Sequence, residues 1–178
     1  MEAAEKDIVI AVRLDEKTFK RFARFDMLTR RKQWVRPALF SLILIAFAVV
    51  ALLTRKEQSG MIAAVLLIVG LGLPMVYLGT FLSQVNMQAV RAKLKPARRV
   101  YTVTIREAGI WVENNQKKED PLEMEWAAIH SAYRRKGCIY LFVTAAKAFL
   151  LPDGQANVPD SAVWDYLAAH LGAGKCKS

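Results

Sequence analysis

His130, His170, Cys138 and Cys176 are the side chains of this sequence with the strongest chemical claim to hold a metal or attack a substrate. A transition-metal site needs three or four such ligands at short local spacings. The histidines stand 40 residues apart, and neither has a second ligand at usable spacing. Each reads more simply as a structural histidine; His170, near the end of a closing helix, would be favoured there as a cation by the helix dipole. Cys138 lies in the apolar run Cys138-Ile139-Tyr140-Leu141-Phe142-Val143 and reads as a small buried hydrophobe, while Cys176 lies in a polar tail. No C-x-x-C spacing points to redox or metal chemistry. Glu119/Asp120 and Glu123/Glu125 pair carboxylates, as general acid–base catalysis does, but on a loop and on the solvent face of an alternating strand. There is no phosphate-binding loop, dinucleotide fingerprint or nucleophile elbow. The expectation is a protein that is not an enzyme, with no catalytic residue, no cofactor and no metal.

The remaining candidates are cations. Arg134-Arg135-Lys136 falls at a hairpin tip, suited to an anionic lipid headgroup or a protein partner, and Lys117-Lys118 falls at another. The plainer reading is a pair of solvated tips, since Glu119 and Asp120 directly neutralise the second.

The elements that carry these residues follow from how charge is distributed. Residues 1–99 hold 17 Lys/Arg against 7 Asp/Glu, and residues 100–178 hold 9 of each, so the whole net charge of +10 lies in the first part. There it flanks apolar blocks instead of decorating a folded domain, which argues against nucleic acid as a partner. No charged residue occurs from Pro37 to Thr54 or from Gln58 to Val90. Pro37–Leu53 would span about 26 Å as a helix, at the short end for a hydrocarbon core of about 30 Å. Met61–Leu82 is long enough to cross with tilt. "FSLILIAFAVVALL" has Ser41 as its one polar side chain, whereas a soluble amphipathic helix would carry a polar face. These two segments read as a transmembrane hairpin, with "TRKEQSG" as its turn.

The flanks orient the hairpin. Arg30, Arg31, Lys32, Arg36 and Trp34 before it, and Arg91, Lys93 and Lys95 after it, are expected at the membrane interface. Cations in residues 20–36 and 83–99 outnumber those in the turn by twelve to two, which places both termini in the cytoplasm and the turn outside. Gly70 and Pro74 fall mid-span and predict a kink. Gly79 and Ser83 form a small-xxx-small pair for close helix packing.

Around the hairpin, Asp7–Leu14 reads as a strand, which would be the seventh of a sheet if it joins the later ones. Asp15 would cap a helix carrying Phe19, Phe22 and Phe25, either against lipid or against the protein itself. After the second span a helix should run on until Pro96. From Val100 long runs give way to short alternation: strands over 100–105, 110–113, 122–126, 129–134, 138–144 and 147–151, then a helix over 162–171. Leu122, Met124 and Trp126 share one strand face, and the helix should lay Val163, Leu167 and Leu171, with Trp164 at the edge, near Trp111 and Trp126. The segments are thus 1–36, an N-terminal strand and basic amphipathic helix; 37–82, the hairpin with spans 37–53 and 61–82; 83–97, a juxtamembrane helix; and 98–178, the β-domain. The fold class is an α+β membrane protein, a two-helix hairpin joined to a cytoplasmic antiparallel sheet or partial barrel with a C-terminal helix.

The strand, basic helix and tight hairpin, followed by "YTVTIREAGIWVEN", a Trp-bearing strand Glu125-Trp126-Ala127-Ala128-Ile129, "FLLP" and a closing helix, resemble the YcxB-like membrane proteins of bacteria. Their C-terminal domain is similar to bacterial pleckstrin-homology (PH-like) domains. The resemblance implies a cell-membrane protein whose PH-like domain binds, scaffolds or regulates, with the bilayer and a protein or anionic headgroup as partners. It supplies no catalytic residue. The alternatives are a membrane enzyme without a recognisable motif, or an accessory subunit of a larger membrane complex.

Overall fold

The structure is a computed structural model that describes residues 7–54, 58–115, 120–172 and 174–178. The chain divides into two compact units, Met1–Phe19 with Lys93–Ser178, and Lys20–Ala92.

In the first unit the N-terminal segment forms β1 (Ile8–Leu14), followed in sequence by α1 (Glu16–Phe25). The α1 start is capped as expected: Asp15 Oδ1 accepts the Thr18 backbone N–H at 2.9 Å, and the Thr18 side chain, helped by this backbone N–H, lowers the Asp15 carboxyl below its ordinary value. Alternation along β1 buries Ile8, Ile10, Val12 and Leu14. β1 pairs antiparallel with β2 (Arg98–Arg106), from Ile8 opposite Ile105 to Leu14 opposite Arg98. The N-terminal strand is therefore part of the sheet, and α1, α2 and α3 are all inserted between its first two strands. β3 (Gly109–Asn114) and β4 (Leu122–Glu125) complete the order β1-β2-β3-β4. The β2–β3 turn closes on Gly109, where a Cβ would collide with the Met124 carbonyl.

A second sheet contains β5 (Ser131–Arg135), β6 (Cys138–Phe142) and β7 (Ala148–Pro152), with β8 (Cys176–Lys177) parallel on the outer edge of β5. All of β6 is buried, as its unbroken apolar run requires. The "polar tail" at Cys176 is thus a ladder partner; two residues carry no periodicity by which a sequence could reveal it.

The two sheets join where β1 meets the chain after β7. Ile10 bridges to Ala156, and Asn157 N–H donates to the Val9 carbonyl at 3.1 Å. The Gln155 amide accepts from Arg13 N–H at 2.6 Å and donates to its carbonyl at 3.0 Å. The Asn157 amide accepts from Val9 N–H and donates to the Asp7 carbonyl, both at 3.0 Å. Side-chain amides thus occupy the free edge of β1, which would otherwise template a further strand. Tyr101 of β2 adds a second joint: its hydroxyl donates to the Leu150 carbonyl at 3.0 Å and accepts the Leu150 N–H at 2.8 Å.

α4 (Asp160–Leu171) buries Val163, Leu167 and Leu171, as its pattern predicts. It packs principally on β5, β8 and the 3-10 turn Trp126–Ala128. Two expectations about tryptophans change. Trp126 does not continue the strand face of Leu122 and Met124: the ladder ends at Gly109 opposite Glu125, β3 has no residue left to pair, and the chain turns. Trp126 is half-buried, and Leu122 at the other end of this short strand is 40% exposed. Trp111 lies away from the main contact of α4, beside the Arg106 guanidinium at 5.0 Å.

The second unit holds one turn of π-helix (Asp26–Arg30), α2 (Val35–Leu53) and α3 (Ser59–Arg91). Ser41 and Ala48 on α2 and Ala63 and Gly70 on α3 are buried where the antiparallel helices meet, each pair seven residues apart. Ser41 Oγ donates to the Gly70 carbonyl. A Cβ on Gly70 would press on Leu44 and Ile45 at 3.3–3.4 Å. The single polar residue of the first apolar run and a glycine within the second are thus spent on each other. Close packing occurs there and not at Gly79 and Ser83, which face outward. Pro74 lies within one continuous helix. That helix stops at Arg91, before Pro96, because Lys93 adopts a left-handed conformation (φ 50°).

Candidate functional site

Arg134 does not stand free at its hairpin tip. Its guanidinium lies 5.9 Å from the Trp164 ring and near Asp153. Burial and the neighbouring Asp160 raise the Asp153 carboxyl above its ordinary value, while Arg134 opposes them. Arg135 Nη1 donates to the Arg134 carbonyl at 3.3 Å, and Lys136 is exposed beside Gly137, whose φ of 81° makes the turn. The Lys117–Lys118 tip and Glu119 lie outside the described residues.

His170 and Trp126 come together with a residue the sequence reading passed over, Tyr166. The rings form a triangle, with Trp126 stacked on His170 at 4.5 Å and His170 on Tyr166 at 4.4 Å. Trp126 Nε1 donates to the Glu107 carbonyl at 2.8 Å, and His170 Nδ1 lies 3.0 Å from the Tyr166 carbonyl. Tyr166 and His170 are one helical turn apart, a spacing that could have suggested their contact. His130 Nδ1 meets its neighbour Ser131 Oγ at 3.1 Å, so the histidines stay apart, each in a local role. Among the described residues no group of His, Cys, Asp or Glu is arranged to hold a metal. Cys138 is buried; Cys176 is half-buried, and burial pushes its thiol above its ordinary value.

Apart from Trp34, the residues expected at a membrane interface divide into three groups. Asp26 holds Arg30 at 3.0 Å and Arg31 at 2.8 Å. Arg91 is exposed at the end of α3 and Lys93 just past it, and Lys95 reaches Glu16 at 3.1 Å. Trp34 is 44% exposed and donates from Nε1 to the Leu28 carbonyl at 3.2 Å. The third group converges: Arg31, Lys32 and Arg36, with Gln33, line a cavity of about 520 Å³ closed by Tyr77 from α3. Its floor is fixed by the backbone, through Arg31 N–H to Asp26 carbonyl (2.8 Å), Gln33 N–H to Met27 carbonyl (3.1 Å) and Val35 N–H to Lys32 carbonyl (3.0 Å). Lys32 is held at φ 48°, which a tight reversal demands. Tyr77 was missed because it lies within an apolar run. The antiparallel register reveals it: seven residues beyond Gly70 on α3 matches seven before Ser41 on α2, the level of Trp34. This pocket gathers three cations and a tyrosine where an apolar hairpin begins, a set whose charge is complementary to an anion.

Compared with protein-family models, curated proteins and solved structures, the chain matches none.

Proposed function

We propose that this is an integral membrane protein whose α2–α3 hairpin spans the bilayer and presents a cytoplasmic PH-like domain as a non-enzymatic binding or regulatory module, as in the YcxB-like proteins. The observation that carries the reading is exposure. Only 11% of the most apolar window of either helix is buried. Large side chains such as Leu39, Phe47, Leu53, Ile68, Met75 and Val76 face outward. Burying one such side chain is worth about 1.5–3 kcal/mol. The exposed set on two helices exceeds several times over the 5–15 kcal/mol that typically holds a domain together, so water is not its solvent. The core helix of a soluble protein would pass the same length and hydropathy test but would be mostly buried. Two four-stranded sheets, the second packed by a C-terminal helix, support the PH-like reading. The cations on the flanks support an inside location for both termini.

Thiol labelling tests the topology. Cys176 is first replaced by serine, since a half-buried, poorly ionised thiol reacts slowly wherever it lies. A cysteine at Ser59 is then expected to react with an impermeant reagent in intact cells, and one at Lys136 only after the cells are opened. The reverse pattern overturns the orientation, and release of the protein by alkaline carbonate overturns spanning.

A further inference from the structure

Tyr77 borders two cavities. On one side is the cationic pocket of Arg31, Lys32, Gln33 and Arg36. On the other, an apolar groove of about 470 Å³ runs along α3, lined by Val69, Gly72, Leu73, Val76, Tyr77 and Thr80. These positions lie on one helix face, at spacings of three and four. From Tyr77 the groove runs two turns toward the mid-hairpin level, where Gly70 meets Ser41, so its apolar end points into the span. Gly72 makes the depth: no atom lies within 4 Å of where its Cβ would be.

We propose that the pocket and groove together form a binding site for one anionic glycerophospholipid, its phosphate held by Lys32, Arg36 and Arg31, its acyl chain laid along Gly72 and Val76. The inference rests on the membrane-spanning reading above. Charge complementarity selects the headgroup. Arg31 is fixed in direction by its Nε contact to Asp26, and the hydrogen-bonded backbone from Asp26 to Val35 places the cations before a ligand arrives. The adjoining groove selects a lipid over a soluble phosphate, since a free anion would leave it unfilled. A zwitterionic lipid fits the groove equally well but brings a choline or ethanolamine cation against three positive side chains.

The test uses the full-length protein in bilayer discs of phosphatidylcholine with a minor fraction of phosphatidylglycerol, reading the enrichment of each lipid around the protein. Phosphatidylglycerol is expected to be enriched. Lys32→Asn with Arg36→Gln is expected to reduce that enrichment about thirtyfold, the attraction of roughly two cations at a membrane surface. Asparagine tolerates the left-handed backbone at position 32. Gly72→Leu, whose Cβ meets no atom within 4 Å and whose side chain occupies the groove, should reduce enrichment while leaving all cations in place. Arg91→Gln removes an exposed cation outside the pocket and should reduce the enrichment far less, by no more than the general attraction of one surface cation. Equal losses from Arg91→Gln and the pocket variants, or no loss from Gly72→Leu, overturn the site. Displacement of the lipid by millimolar glycerol 3-phosphate overturns the lipid assignment in favour of a soluble phosphate. Carbonate resistance of the same variants reports spanning separately, so a failed site and a failed hairpin are told apart.

Discussion

Tyr101 shows how much a single hydroxyl can hold. It satisfies both backbone groups of Leu150, where the first sheet comes against the second. Tyr101→Phe keeps the ring against Phe149 and removes only the oxygen. The expected loss is about 1–3 kcal/mol, because the Leu150 N–H and carbonyl stay buried without partners. A denaturant titration followed by tryptophan fluorescence measures it; an unchanged midpoint would mean that water replaces the hydroxyl. The same residue sets an alkaline limit. Burial raises the Tyr101 phenol well above its ordinary value. The native state therefore retains a proton that the unfolded chain releases, so this stability is fully present below the unfolded value of about 10 and is lost as pH rises beyond it. Tyr101→Phe should flatten the fall in stability above that pH. Trp126 calls for a smaller expectation than a core tryptophan: Trp126→Ala removes a ring stack and one hydrogen bond from a half-buried site, about 1–3 kcal/mol in all. A variant that abolished folding would restore Trp126 to the core.

Among the elements, β1 stands apart in sequence from the sheet it completes. It buries four large apolar side chains, each worth about 1.5–3 kcal/mol, a sum comparable to the stability of a whole small domain. A fragment of residues 98–178 is therefore expected to show no cooperative melting. Leu14 and Arg98 are paired, so a two-residue turn can bridge them. Replacing residues 15–97 with Asn-Gly should give a soluble domain with a single sharp transition. Failure of that chain alongside a well-folded 98–178 fragment would overturn the role of β1. The contrast between elements also explains what the sequence could reveal. β6 was legible because its apolar run is short for a helix and is preceded by the turn at Gly137, which together favour a strand buried on both faces. β1 was legible as a strand, but its partner lies 84 residues beyond its end, and no local pattern encodes that. Ser41 and Gly70 were visible as exceptions in apolar runs, yet only the register of the hairpin joins them. Tyr77 and Tyr166 were hidden for the same reason: each acquires its neighbours by packing, and neither breaks the periodicity around it.

At the scale of the molecule, charge and chemistry are segregated. Residues 100–178 balance 9 cations with 9 anions, and the whole excess accompanies the apolar helices. The turn-linked soluble domain is thus expected to ignore anionic vesicles at physiological salt, where surface charges are screened within about 8 Å. Sedimentation with phosphatidylglycerol vesicles checks it. Retention that Arg135→Gln with Lys136→Gln abolishes would instead assign the β5–β6 tip to a headgroup.

The pairing of β1 with β2 across the inserted helices also sets a timetable. β1 is synthesised first, and the end of β2 follows 92 residues later. At 5–20 residues per second that is about 5–20 s during which Ile8, Ile10, Val12 and Leu14 have no sheet to join. Within that interval the ribosome delivers the entire hairpin, so in the spanning reading the membrane receives its helices before the domain can close. In that reading helix insertion becomes a step on the folding path of the β-domain, and a nascent chain arrested before β2 emerges would be anchored while its β1 stays open to protease.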